Sequence, residues 1–323
     1  MSLEEIAKKM CAKGRGILAA DESTGTMEKR LKSVGIESTE KNRLNFRETL
    51  FQSKAMKEFI GGVILFDETL RQKSSNGISI PDLISKNNSI PGIKVDKGAK
   101  LLAGSNKEKI TEGLDGLRER LMEYNKLGAK FTKWRAVYSI GKNHPSTQCI
   151  KSNAHALARY AALVQEAGMV PIIEPEVLMD GDHSAKVCYD KTSKVIKKCY
   201  EELQLNNVDL SGTILKPNMI LPGESSKNKI SNEEVAELTL ECLKNNVPSE
   251  VPGIAFLSGG QTEMEATANL NQINIKNNTK FIMSFSYGRA PQQSALKFWS
   301  KDINNIKGTQ EVFDHRAKMC TLA

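Results

Sequence analysis

Val170-Pro171-Ile172-Ile173-Glu174-Pro175-Glu176 is an apolar run that closes on two carboxylates. A short continuous apolar run fits a strand buried on both faces of a parallel sheet. Residues i and i+2 of a strand share a face, so Glu174 and Glu176 point together. Charged side chains are rarely buried without partners, so the run predicts ionisable neighbours at its far end. Residues 131–137 (FTKWRAV) supply candidates of the opposite sign, with Lys133 and Arg135 in the same i, i+2 relation.

Working outward, the same unit recurs. Strands are predicted at residues 16–21, 62–66, 92–96, 131–137, 170–176, 212–216, 253–258 and 281–287, each short and rich in Val, Ile, Leu or Phe. Helices are predicted between them. One covers 111–128, with Leu114, Leu117, Leu121 and Tyr124 at helical spacing and Gly128 as its stop. Two more cover 153–168 and 184–205. Residues 231–234 (SNEE), 262–265 (TEME) and 2–5 (SLEE) have the capping-box pattern, in which side chains at both ends satisfy free backbone amides. The last of these starts an extra N-terminal helix. Strand–helix alternation implies a parallel sheet. Eight unbroken units imply an α/β fold, a single (β/α)8 TIM barrel spanning residues 1–323. Neither GxGxxG nor GxxxxGK[ST] occurs, so dinucleotide and P-loop readings have no support.

The net charge of +8 points to an anionic partner. No basic block interleaved with aromatics appears, which argues against nucleic acid and for a small phosphorylated ligand. The six cysteines form no CxxC pair and read as reduced thiols of a cytoplasmic protein. No apolar run of about 18 residues predicts membrane insertion. The four histidines (His144, His155, His183, His315) fall in predicted loops and helices, so no converging imidazole set and no metal or other cofactor is expected.

Ionisable residues gather at the C-terminal ends of the predicted strands, where this barrel places its chemistry. They are Asp21, Lys94, Lys133 with Arg135, Glu174 with Glu176, and Lys216. An ammonium at the end of an apolar strand among other cations is desolvated and repelled, and both effects favour the neutral amine. Such an amine can attack a ketone and form an imine that serves as an electron sink for carbon–carbon cleavage. A structural Lys–Glu pair inside the barrel is the alternative. Ser258-Gly259-Gly260 and Ser286-Tyr287-Gly288-Arg289 expose backbone amides and a guanidinium after the last two strands, a pattern suited to phosphate. Ser23, Thr26 and Arg30 offer a second anion site after the first strand. Two such sites across one barrel mouth imply a bisphosphate.

From the first helix to about Lys318 the chain resembles the class I fructose-bisphosphate aldolases. The resemblance is carried by residues 16–25 (GILAADESTG), 60–66 (IGGVILF), 92–98 (GIKVDKG), Lys133-Trp134-Arg135, 171–176 (PIIEPE), 215–219 (LKPNM), 256–261 (FLSGGQ) and 285–290 (FSYGRA). It implies Lys216 as the Schiff-base lysine, Glu174 as acid–base carboxylate and Asp21 as handler of the hydroxyl proton. It further implies Lys133 as support for the carbinolamine steps, with Lys94 and Glu176 as neighbours. Arg30, the 258–260 turn, Ser286, Gly288 and Arg289 become substrate and phosphate contacts. A cofactor-free cytoplasmic homotetramer of glycolysis and gluconeogenesis is implied, as is binding to actin or an adhesin. Members of the family carry a C-terminal tail ending in tyrosine, whereas this sequence ends Cys320-Thr321-Leu322-Ala323. A scaffold role, or another Schiff-base sugar-phosphate enzyme of the transaldolase kind, stays open on the residues alone.

Overall fold

Phe131–Tyr138 and Val170–Val177 run side by side in parallel, with Lys133 opposite Ile172 and Arg135 opposite Glu174. The computed structural model describes residues 1–323. Its strands are β1 (Gly16–Ala20), β2 (Ile60–Leu65), β3 (Ile90–Lys94), β4 (Ala99–Leu101), β5 (Lys109–Thr111), β6 (Phe131–Tyr138), β7 (Val170–Val177), β8 (Ile214–Leu215), β9 (Gly253–Phe256) and β10 (Ile282–Tyr287). Eight of them close into a barrel in the order β1-β10-β9-β8-β7-β6-β3-β2. Every barrel pairing is parallel, including the closing pair of β1 with β10. The predicted (β/α)8 barrel is the observed fold.

Alternation along each strand divides the core. Ile17, Ala19, Ile64, Phe131, Ile172, Ile214 and Ala255 belong to an inner cluster, together with Ile6, Ala7 and Met10 of the N-terminal helix Leu3–Met10. Leu18, Ala20, Val63, Leu65 and their equivalents pack outward under the surrounding helices. The N-terminal helix therefore stoppers the base of the barrel. Its fit requires glycine at position 61, where a Cβ would stand 2.2 Å from the Met10 carbonyl oxygen. Above that stopper Phe131 fills the lumen, and a Cβ on Gly92 would come within 2.4 Å of its ring. The next residues on the same face, Lys133 and Glu174, begin the polar layer. Sequence order along β6 and β7 thus becomes depth: apolar below, charged above.

Three expectations need correction. Residues 111–128 are not one helix: Thr111 ends β5, which pairs antiparallel with β4, and the helix occupies Leu117–Lys126. Gly113 (φ 131°) and Gly116 (φ 63°) take left-handed backbone conformations that an α-helix does not contain. The helix expected at 153–168 is Thr147–Glu166, opened by Ser146, whose Oγ accepts from the Cys149 amide at 3.1 Å. The strand expected at 212–216 contracts to Ile214–Leu215, because Leu210–Gly212 turns tightly into it. Lys216 still continues the ladder, its N–H donating to the Ile173 carbonyl at 2.8 Å. The three capping boxes at Ser2, Ser231 and Thr262 are all formed.

Candidate active site

Four strand ends converge above Phe131. Asp21 follows β1, Lys133 lies on β6, Glu174 on β7, and Lys216 directly follows β8. Lys133 Nζ lies 2.7 Å from Asp21 Oδ2 and 3.4 Å from Glu174 Oε2. Lys216 Nζ lies 3.2 Å from Glu174 Oε1. Glu174 therefore bridges two ammonium groups, one on each oxygen. The Lys133, Glu174 and Lys216 side chains are only 4–5% exposed, and Asp21 is 14% exposed. Two cations and two anions balance, as burial of charge requires. Burial alone would push the Asp21 carboxyl up, but Lys133, Lys216 and Lys94 outweigh it and hold the group at about 2. Burial opposes the charge of Lys133 too, yet Asp21, Glu174 and Asp96 prevail and keep its ammonium well above the ordinary lysine range.

The wall above this floor is a second charged layer. Arg135 pairs with Glu176, one strand step above the Lys133–Glu174 contact. Burial disfavours the Arg135 guanidinium, but Glu176 together with Glu174 and Asp96 raises its proton affinity above the usual arginine range. Lys94 turns to Asp96, with Nζ 2.9 Å from Oδ1 and 3.1 Å from the backbone oxygen. Asp96 in turn accepts from the Gly98 amide at 3.1 Å. Gly259 lies close over this wall, where a Cβ would stand 3.0 Å from Glu176 Oε1.

Two loops form one side of the rim. Ser258, Gly259 and Gly260 lead into the helix Glu263–Lys276 through the Thr262 cap. Gly260 (φ +73°) makes the turn, and a Cβ there would meet Met179 at 2.7 Å. On β10, Ser286 is buried and its Oγ has no partner, and just past the strand Gly288 opens the helix Arg289–Trp299 without a side-chain cap. Free amides at a helix start are an anion site. Next to them, Ser23 caps the helix Thr24–Lys32. Because β1 pairs directly with β10, the two candidate anion sites are neighbours around the mouth and do not face each other across it as the sequence suggested. Ser23 Oγ accepts from the Thr26 amide at 3.4 Å and lies 3.1 Å from the Thr26 hydroxyl. Arg30 pairs with Glu22.

These groups line a cavity of about 500 Å³. Of the residues singled out in the sequence, Asp21, Ser23, Thr26, Arg30, Lys94, Lys133, Arg135, Glu176, Lys216, Ser258, Gly259, Ser286, Gly288 and Arg289 face it. Glu174 and Gly260 do not line it, although Glu174 contacts Lys133 and Lys216, which do. Sequence reasoning missed Glu22 and Asp96, which also line the cavity. Asp96 stands two residues beyond Lys94, so the i, i+2 rule could have found it. None of the four histidines lies on this surface.

The arrangement matches known proteins over its whole length. The family described as fructose-bisphosphate aldolase class-I matches residues 2–323. A probable class 1 fructose-bisphosphate aldolase of Xanthomonas campestris pv. campestris is 52% identical over 322 residues, covering 99% of this chain and 96% of that protein. Fructose-bisphosphate aldolase 6, cytosolic, of Arabidopsis thaliana is 51% identical, over 94% of this chain and 85% of that one. Among solved structures, the fructose-bisphosphate aldolase of Plasmodium falciparum in complex with TRAP and a small molecule inhibitor superposes with a TM-score of 0.97 at 45% identity, covering 99% of this chain and 93% of that chain. A full-length family match, relatives at half identity and a barrel whose strand ends hold a lysine–carboxylate cluster agree: the chain belongs to the class I fructose-bisphosphate aldolases.

Proposed function

We propose that Lys216 is the amine that forms the Schiff base in this aldolase, with Glu174, Lys133 and Asp21 managing protons around it. The enzyme cleaves fructose 1,6-bisphosphate to dihydroxyacetone phosphate and glyceraldehyde 3-phosphate, and runs the reverse condensation. One observation carries the assignment: the Lys216 nitrogen is nearly sealed from bulk water and lies 3.2 Å from a carboxylate that also contacts a second lysine.

The amine of Lys216 attacks C2 of the open-chain ketone, and its proton passes to the former carbonyl oxygen. Loss of water gives an iminium. Glu174, bridging Lys216 and Lys133, is positioned to carry the protons of both steps. The C3–C4 electron pair then flows into the iminium as a base removes the C4 hydroxyl proton. Asp21 is assigned that removal by its place at the cavity beside Lys133. Glyceraldehyde 3-phosphate departs, the enamine is protonated at C3, and water hydrolyses the imine. Arg135, Glu176 and Lys94 shape the wall and balance its charge. The amides of 258–260 and of the Gly288 helix start, with Ser286 and Arg289, suit one phosphate; Ser23, Thr26 and Arg30 suit the other.

Borohydride added during turnover should reduce the imine and leave a covalent adduct on Lys216, read by peptide mass spectrometry. Full activity with an unmodified Lys216 would reject the assignment. A single-domain cytoplasmic homotetramer completes the proposal; the cytosolic Arabidopsis thaliana relative supports the location, and sedimentation velocity tests the assembly. Binding of actin or an adhesin by the basic surface (net charge +8) is a separate role. Salt-sensitive co-sedimentation of a Lys216→Ala variant with actin filaments would support it, and absence of the variant from the pellet would reject it.

A further inference from the structure

We infer that Glu22 competes with substrate phosphate for Arg30, and that Arg47 is the positioning residue that draws the Glu22 carboxylate away when phosphate binds. The inference depends on the proposal above that Arg30 is a phosphate contact. Glu22 and Arg30 both line the cavity, and their side chains pair within it. The Arg30 Nε and Nη2 groups are buried and have no partner, so the guanidinium holds unused donors that a turn of the side chain toward the cavity would present to a tetrahedral anion.

Arg47 lies behind this pair, on the helix Glu40–Phe51, and does not line the cavity. Its side chain is 1% exposed. One nitrogen donates to the Thr69 hydroxyl at 2.8 Å and another to the Glu22 backbone oxygen at 2.8 Å. Its single carboxylate neighbour is Glu22, whose Oε2 stands at 3.5 Å, beyond hydrogen-bond contact, and that oxygen has no hydrogen-bond donor. A buried guanidinium needs a counter-ion, and Arg47 has one only at arm's length. Its Nε is likewise unpartnered. Glu22 is thus shared by two arginines, in full contact with Arg30 and incompletely with Arg47.

A phosphate arriving at Arg30 brings more negative charge than one carboxylate and repels Glu22. A short shift toward Arg47 would relieve the repulsion and complete the buried ion pair. Phosphate affinity on this side of the cavity is then set by the difference between two Glu22 ion pairs. It is tuned from outside the cavity.

The test uses the full-length enzyme and a hexitol bisphosphate, which has both phosphates but no carbonyl and so cannot form the imine. Its competitive Ki is measured alongside KM and kcat. Glu22→Gln should lower Ki and KM by about threefold to tenfold, the range of a modest ion-pair difference, with kcat changed much less. Arg47→Lys keeps the charge but loses the two-point hold, and should raise Ki. That rise should disappear in the Glu22→Gln background, because the two residues act through one contact. A merely structural role for Arg47 would lower thermal stability and raise Ki equally in both backgrounds, which would overturn the inference. So would an unchanged or higher Ki for Glu22→Gln while Arg30→Met weakens binding. An unchanged Ki for Arg30→Met would instead remove the phosphate assignment on which the inference stands.

Discussion

Glu174 Oε1, on β7, lies 3.2 Å from the Nζ of Lys216, which directly follows the adjacent parallel strand β8, and both side chains are 5% exposed. A carboxylate so placed both balances the ammonium and offers a route for its proton. Glu174→Gln keeps the shape and removes the route. It should lower kcat by about 100-fold to 10,000-fold, the span of general acid–base catalysis. Borohydride trapping on Lys216 should slow with it. Undiminished turnover by the variant would show that protons travel another way.

Asp21 gives a pH-dependent stability. Its folded pKa, about 2, lies below its ordinary value of 3.8, so the stabilisation is complete above the unfolded value and is lost as pH falls through about 2. The full contribution is on the order of 2 kcal/mol, and about 1 kcal/mol of it should be gone by pH 3. Denaturant midpoints of the protein and of Asp21→Asn, compared at pH 6 and pH 3, should therefore converge by that amount. A gap independent of pH would contradict the assigned Lys133 contact.

Phe131 and Gly92 should be energetically coupled. A Cβ at position 92 would lie 2.4 Å from the Phe131 ring in the barrel lumen, so Gly92→Ala should cost about 1–3 kcal/mol by overpacking. Phe131→Leu should recover part of that cost in the double variant. Strictly additive effects, measured by chemical unfolding, would mean that the ring is not what the new methyl meets.

All six cysteines are free and buried. Burial raises Cys11, Cys149, Cys199 and Cys242 to about 12, and Cys188 and Cys320 to about 11. Since the thiolate is the reactive form, a disulfide reagent at pH 8 should find almost no fast thiol in the folded protein and all six after denaturation. A rapid stoichiometric reaction with the native protein would contradict this burial.

With Lys216 as the electron sink, no step proposed above draws on a divalent ion. Cleavage measured through a coupled assay should persist in excess chelator. Activity lost to chelator and restored by one divalent metal would reject the Schiff-base account.

Most of the barrel was legible because its strands announce themselves twice, as apolar runs and as the charged residues that end them. The i, i+2 spacing was enough to put Lys133 and Arg135 on one face of β6 and Glu174 and Glu176 on one face of β7, but the pairs Lys133–Glu174 and Arg135–Glu176 follow from the strand register, which the spacing does not encode. The ribbon of β4 and β5 was not legible: three-residue strands such as Ala99–Leu101, exposed at Lys100 and Leu101, carry no burial pattern. Nor was the start of the helix Thr147–Glu166, since Ser146 caps it without an acidic residue three places on. Glu22 escaped notice within a loop read for its hydroxyls. Its importance comes from Arg47, twenty-five positions along the chain, and no local pattern encodes that meeting.

The helix at Leu3–Met10 gives the catalytic chamber a blind end. Solvent and reactants then share one doorway, and the water that frees the second product must come in where the first product went out. Hydrolysis of the enzyme-bound imine is thereby made to wait for the aldehyde to leave.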